Sequence, residues 1–231
     1  VFGDPTLLGP TTVLTARNYG LYDGLDVHFE RRFAKTALQA NYTLAWARGT
    51  LGSMDFTTQG ERVAPTNCDA LGCPISPAYE WGPTSVDERH RITVAGIVPL
   101  PWGFDVAPSF TAATARPYTQ YRAPNPNGNG SLRILSDNGV DPVGPNNARG
   151  KALINANARV TKHIKLGGNR EISAFAEFYN MLNRANFGNS FGGNAFAPAT
   201  YNKPIGYLGG IGSTTTIPIS FQVQFGGRFS F

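Results

Sequence analysis

The chain is poor in charge and has no long hydrophobic run. Only 15% of its 231 residues are Asp, Glu, Lys or Arg, whereas soluble globular proteins carry about 25%. No apolar run reaches the roughly 18 residues of a transmembrane helix, and no basic segment leads into an apolar one as in a signal peptide. The net charge of +5 lies in no dense Lys/Arg segment, so we expect no nucleic-acid partner.

Cysteine is also scarce. Cys68 and Cys73 lie in one polar segment with no histidine nearby, so this segment by itself does not complete a tetrahedral zinc site. We expect a local disulfide, which predicts an oxidising compartment; two free thiols are the alternative. The sequence contains no nucleotide, zinc or Gly-x-Ser-x-Gly motif, so we expect no cofactor and no enzyme activity.

Turn residues and two-residue alternation are abundant. The 27 glycines and 17 prolines argue against a helical bundle. In seven segments apolar residues alternate with polar ones, which is the pattern of strands with one apolar and one polar face. These segments are 25–32, 38–46, 89–98, 104–115, 152–165, 172–180 and 219–231.

The connections between these strands alternate between very short and very long. Short linkers at 34–36, 101–103 and 167–169 are followed by long ones at 49–86, 116–150 and 184–218. Short periplasmic turns and long extracellular loops are typical of transmembrane β-barrels. We therefore predict an all-β fold, an antiparallel transmembrane β-barrel segment of seven or eight strands. A soluble β-sandwich whose polar faces meet water is the alternative.

The predicted polar faces carry ionisable side chains that would be costly against lipid but suit a water-filled lumen. His28 with its neighbours on one face is also a potential metal site, but we favour a lumenal network of hydrogen bonds and ion pairs. The candidate lumen-facing residues are Asp26, His28, Glu30, Arg32, Arg159, Glu177 and Arg228. The dense cluster 87–91 predicts a charge network at the outer rim, because neighbouring strand residues point to opposite faces and do not form an acid/base pair.

Six segments resemble, in the same order, motifs of TonB-dependent outer-membrane receptors of the Oar-like type. The stretch 177–188, EFYNMLNRANFG, resembles the family's "FN-LLN-xxNFG" signature. The other five are YDGLDV with RRF at 22–33, NYTL at 41–44, DERHR at 87–91, PLPWG at 99–103 and ARPYT at 115–119.

The resemblance implies that residues 1–231 are the C-terminal part of a 22-stranded receptor barrel without its plug. It implies insertion into outer-membrane lipid by the barrel-insertion machinery, which would read the aromatic end formed by Phe225, Phe229 and Phe231. Extracellular loops would capture an unidentified ligand, and a TonB-type energy-transducing protein would act through the plug. The initial Val1 is also what a mature form or a piece of a longer protein would show.

Three other functions fit parts of the pattern. A small self-closing passive porin would need an eighth strand, for which Thr11–Asn18 is the candidate. An outer-membrane hydrolase would use the cluster at 87–91. A secreted carbohydrate-binding sandwich would stack sugars on Trp46, Trp81 and Trp102.

Overall fold

A computed structural model describes residues 19–50, 81–122, 132–133, 144–208, 214–215 and 220–231. Within them the chain is all-β apart from one short 3-10 turn, Pro101–Gly103. The strands in chain order are β1 (Gly20–Phe33), β2 (Thr36–Thr50), β3 (Trp81–Pro83), β4 (His90–Leu100), β5 (Phe104–Ala113), β6 (Pro117–Tyr118), β7 (Tyr121–Arg122), β8 (Leu132–Arg133), β9 (Ala148–Arg149), β10 (Leu153–Gly167), β11 (Arg170–Tyr179), β12 (Tyr207–Leu208), β13 (Thr214–Thr215) and β14 (Gln222–Ser230).

Seven long strands form one antiparallel sheet in the order β1-β2-β4-β5-β10-β11-β14, and β3 pairs with β2. These seven correspond to the seven alternating segments of the sequence, so that prediction is confirmed. The candidate eighth strand at 11–18 and the two cysteines, Cys68 and Cys73, lie outside the described residues. Three two-stranded pairs, β6-β9, β7-β8 and β12-β13, lie in the long connections.

The two ends of the sheet differ. At one end, called here the tight-turn end, the links are residues 34–35, 101–103 and 168–169. Gly167 and Gly168 have positive φ there, a conformation that glycine adopts without steric cost. The long connections 51–89, 114–152 and 180–221 all leave the opposite end, called here the loop end. The alternation of short and long links is therefore confirmed.

The cross-strand register gives the sheet two chemically distinct faces. Leu25 lies opposite Leu44, and Val27 opposite Tyr42, on what we call the apolar face. The other face, called here the polar face, carries Asp26 and every second residue before and after it along β1. Thr43 on β2 lies opposite Asp26 on this face. The apolar side chains stay exposed: Leu25 by 55% and Phe225 by 79%.

The small buried core lies on the polar face at the loop end. Its apolar members in the sheet are Ala45, Ala47 and Ala113. Alanine at these positions lets the chain after β3 lie against β2, where the Thr84 amide donates to the Ala47 carbonyl. Thr84 is itself only 1% exposed. The core thus joins the loops to the sheet rather than covering the apolar face.

The sheet is not closed within the described residues, and β1 and β14 are its edges. Because seven strands alternate in direction, β1 and β14 both run from the loop end to the tight-turn end. Parallel edges of this kind close into an antiparallel sheet only through an odd number of further strands. Among the described residues, no helix has the length and apolarity to cross a membrane.

Candidate functional site

The first group of candidate residues lies on the polar face of edge strand β1. Thr43 donates to an Asp26 carboxylate oxygen over 2.6 Å, and His28 is hydrogen-bonded to the Asn41 amide oxygen. Arg32 pairs with Glu30 at 2.9 Å, while His28 lies 3.8 Å from the same carboxylate. Each side chain contacts its own strand or β2 and is well exposed.

The second group lies at the other edge. Arg159 on β10 and Glu177 on β11 face each other in register and pair at 3.4 Å. The Arg159 guanidinium also lies 3.8 Å from the centre of the Phe175 ring, a cation–π contact. Arg228 lies on the same face of β14, opposite Ser173. The structure thus places all seven candidates on one face, one group on edge strand β1 and the other on β10, β11 and edge strand β14. That this face lines a lumen stays a prediction.

The middle of the polar face carries uncharged hydrogen-bonding groups instead. Thr93 on β4 lies opposite Asn41 on β2 and Thr111 on β5. Asn155 on β10 lies opposite Thr111 on β5. Asn157, also on β10, donates to the Ser109 hydroxyl at 3.4 Å. Amide and hydroxyl groups therefore span four neighbouring strands between the two charged groups.

A buried ion-pair cluster lies at the loop end, where Asp87 is 1% exposed. One carboxylate oxygen of Asp87 accepts the Ala47 backbone amide at 2.8 Å. The other accepts Arg149 at 2.5 Å and lies 3.7 Å from Arg89. Because a buried carboxylate is costly unless it is paired and hydrogen-bonded, these contacts make Asp87 the residue that joins β2 to two connecting segments.

Glu88 extends this cluster. One of its oxygens accepts Arg116 at 2.6 Å and the other accepts Arg91 at 2.7 Å. The rim charge network expected from 87–91 is confirmed in its pairing. Sequence reasoning missed that Arg116 and Arg149 complete it, because they lie 28 and 62 residues from their partners along the chain.

The ionisable residues of 87–91 do not converge as an acid/base set. His90 points to the apolar face, where its ring nitrogen is 2.8 Å from the Tyr42 hydroxyl. Asp87 is buried against β2 on the other side. Among the described residues, no three His, Cys, Asp or Glu side chains form a group suited to a metal ion.

A second cluster that sequence reasoning missed lies near the tight-turn end of the polar face. His163 on β10 contacts the Asp105 carboxylate on β5 at 2.9 Å and the Glu171 carboxylate on β11 at 2.8 Å. Ser173 also donates to Glu171 at 2.9 Å. The imidazole of His163 therefore bridges three strands, β5, β10 and β11, through these two carboxylates. Register within the sheet, which the sequence does not state, brings these groups together.

Three asparagines of the segment 177–188 replace backbone partners at the loop end. Asn186 accepts the Ile154 amide and donates to the Ile154 carbonyl, both at 3.0 Å, as a neighbouring strand would. Asn180, at a φ of 47°, is 3% exposed and binds both backbone groups of Arg184. Asn183 accepts the Phe221 amide at 3.0 Å. The motif therefore shapes the chain reversal between β11 and β14.

Aromatic stacking orders the connections above the sheet. Tyr118 stacks on Phe191 at 5.4 Å, and Phe187 stacks on Tyr207 at 5.4 Å. The Tyr118 hydroxyl donates to Asn202 at 3.0 Å. Burial, with a smaller contribution from Tyr201, raises the pKa of Tyr118 above its ordinary value.

The three tryptophans do not form one platform. Trp46 lies under the Arg89 guanidinium at 4.8 Å, and Trp81 stacks on Tyr19 at 4.7 Å. Trp102 lies in the 3-10 turn at the tight-turn end and is 85% exposed. Their separation gives no support to the sugar-stacking alternative.

No protein-family model, no curated protein and no solved structure matches the chain.

Proposed function

We propose that the chain is part of the β-barrel of a TonB-dependent outer-membrane receptor of the Oar-like type. In this proposal the apolar face meets lipid, the polar face lines the passage beside a plug, and the connections at the loop end are extracellular. Those connections capture the ligand, and a TonB-type protein acting on the plug supplies the energy for uptake. The chain then contributes binding and transport rather than an enzyme reaction.

The observation that carries this proposal is an exposed apolar band with few charges across the sheet. Charged side chains on the apolar face of the seven strands are few. Asp23, Arg31, Arg48 and Arg170 lie near strand ends, and Lys162, farther inside β10, donates to the Trp102 carbonyl of the tight turn. Between them lie exposed side chains such as Leu25, Val27 and Phe29. In water, each large side chain left exposed forgoes about 1.5–3 kcal/mol of burial. Contact with lipid removes that cost, and an outward apolar band of this kind is typical of outer-membrane barrels.

Aromatic rings near the strand ends add support. Phe33 ends β1 and Phe104 begins β5 at the tight-turn end, while Phe229 stacks on Phe231 at 5.9 Å. Aromatic rings at the borders of the apolar band are typical of membrane barrels, because they lie at headgroup depth. The rings named here lie at the border on the tight-turn side.

The two open edges show that the seven described strands need further strands before they could form a barrel in lipid. An unpaired strand edge in lipid leaves backbone groups without hydrogen bonds, at several kcal/mol each. Since β1 and β14 run in the same direction, the seven strands need further, oppositely directed strands between these edges. A receptor barrel supplies them, and so would a single extra strand in a small porin.

The test is membrane partition and heat modifiability of the full chain expressed with an export signal. We expect the chain to insert only when the remaining barrel and plug are supplied. A compact, heat-sensitive band from the chain by itself would favour the small porin instead. A folded product that is soluble without detergent would overturn both membrane assignments.

A pair of neighbouring substitutions tests the assignment of faces. Val27 lies mid-strand on the apolar face and His28 on the polar face. Val27→Arg should strongly lower membrane assembly, because an arginine at the bilayer midplane costs about 2–4 kcal/mol. The matched variant His28→Arg should assemble nearly as well as the unmodified chain. Equal assembly of the two variants, measured by the heat-sensitive band, would contradict the lipid-facing assignment.

A further inference from the structure

We propose that a cleft at the loop end of the polar face binds the anionic group of a solute, a carboxylate or a phosphate. The cleft has a volume of about 140 Å³, and Arg91, Tyr22 and Thr43 line it together with Asp87 and Glu88. The inference deepens the proposed function, since it names the charge of the ligand that the extracellular side would capture.

The charge balance of the buried cluster carries the argument. Both oxygens of Asp87 and both oxygens of Glu88 already accept hydrogen bonds from Arg149, the Ala47 amide, Arg116 and Arg91. Each of the four carboxylate oxygens therefore already has a hydrogen-bond donor. Four arginines, at 89, 91, 116 and 149, face these two carboxylates. Two positive charges remain in excess at the loop end, which raises the local concentration of anions.

The cleft offers suitable recognition groups. Arg91 is the cationic side chain of a lining that also includes Ala45, Ala47 and Val86. Its side chain is 41% exposed, although one guanidinium nitrogen is held by Glu88. A guanidinium has five donors in a planar fork that matches carboxylate and phosphate oxygens. Tyr22 adds a hydroxyl group to the same wall, whereas the Thr43 hydroxyl donates to Asp26. The volume is several times the roughly 30 Å³ that a water molecule occupies, so it admits an anionic group but not a whole large solute.

The position of the cleft favours a solute over a lipid headgroup. Tyr22 and Thr43 lie on the polar face, opposite to the exposed side chains of the apolar face. A phosphate of a lipid packed on the apolar face would approach from the other side of the sheet. We therefore assign the anion to a molecule in the aqueous phase.

The test uses the barrel assembled from the chain together with the remaining barrel and plug, solubilised in detergent. It is titrated with inorganic phosphate and with citrate, and binding is followed by calorimetry. Arg91→Gln should weaken binding by about tenfold or more, because it removes a charged hydrogen-bond donor. Arg91→Lys keeps the charge and should recover part of the affinity. The matched control is Arg159→Gln, which removes an equally exposed arginine (45% against 41%) from another carboxylate pair on the same face. It should change affinity less than twofold.

Circular dichroism and the heat-sensitive band show whether each variant folds. Equal affinities of Arg91→Gln and Arg159→Gln would overturn the inference, as would the absence of saturable binding of both anions to the unmodified chain. Binding only to vesicles that contain anionic lipid would also overturn it, in favour of a headgroup site. A chain that inserts into membranes but binds no anion refutes this inference alone, whereas a soluble chain that binds anions refutes the proposed function alone.

Discussion

The loop end and the tight-turn end of the sheet use the same chemistry in different surroundings. At the loop end, Asp87 binds an arginine and a backbone amide while 1% exposed. At the tight-turn end, Asp105 binds His163 while 37% exposed. Both aspartates join segments distant in the chain, yet only the first is covered by connecting segments.

The difference in burial indicates which ion pairs contribute most to the stability of the polar face. An exposed ion pair is screened by water and contributes about 0–1 kcal/mol. Removing one partner of a buried pair leaves the other charge buried without a partner and costs about 3–5 kcal/mol. Because the long connections bury the Asp87 cluster, its ion pairs matter for stability. The Asp105–His163 pair, near the short turns, stays exposed to solvent.

The largest expected effect comes from Asp87→Ala. The variant leaves Arg149 and the Ala47 amide without their acceptor, so we expect a loss of about 3–5 kcal/mol in the free energy of unfolding. The measurement is the urea midpoint of the barrel assembled with the remaining strands and plug in detergent. Asp105→Ala, the matched change at the tight-turn end, should cost about 1 kcal/mol or less. Similar losses for the two variants would remove the contrast between the ends.

A middle-sized effect is expected from Asn186→Ala. Its side chain satisfies both backbone groups of Ile154, and leaving a partly buried pair unsatisfied costs about 1–3 kcal/mol. Asn169→Ala in the exposed link 168–169 is the control and should be nearly neutral. Hydrogen exchange should speed up at Ile154 in the first variant alone; unchanged protection there would show that Asn186 does not act as a strand partner.

The smallest effect concerns alkaline pH and Tyr118. Because burial raises the pKa of this phenol in the folded state, its contribution to stability is complete below the unfolded value of about 10 and is lost as pH rises through the folded value. Tyr118→Phe should therefore make the stability less sensitive to pH above about 10. The measurement is the phenolate absorbance of the two proteins during parallel pH titrations. A difference curve centred at or below the ordinary tyrosine pKa of about 10 would contradict this prediction.

Much of the fold could be predicted because strands encode their faces locally. The alternation around Val27 and His28, or along β10, states which side chains share a face, since successive side chains point to opposite sides. The length of each link then tells which strand ends lie together. The alternation of apolar and polar residues, however, carries no information on the register between strands about 50 residues apart. The sequence therefore did not predict the contact between His163 and Asp105.

The seven strands, their two faces and the contrast between short and long links follow from the amino-acid sequence, because these features depend on residues close together in the chain. Which charges meet and which are buried depends instead on how the strands and connections pack. Arg149 reaches Asp87, and Arg116 reaches Glu88, because the connections pack on alanines of β2 and β5. Burial and pairing are properties of the packed chain, and they distinguish the cluster at the loop end from the exposed charges at the sheet edges.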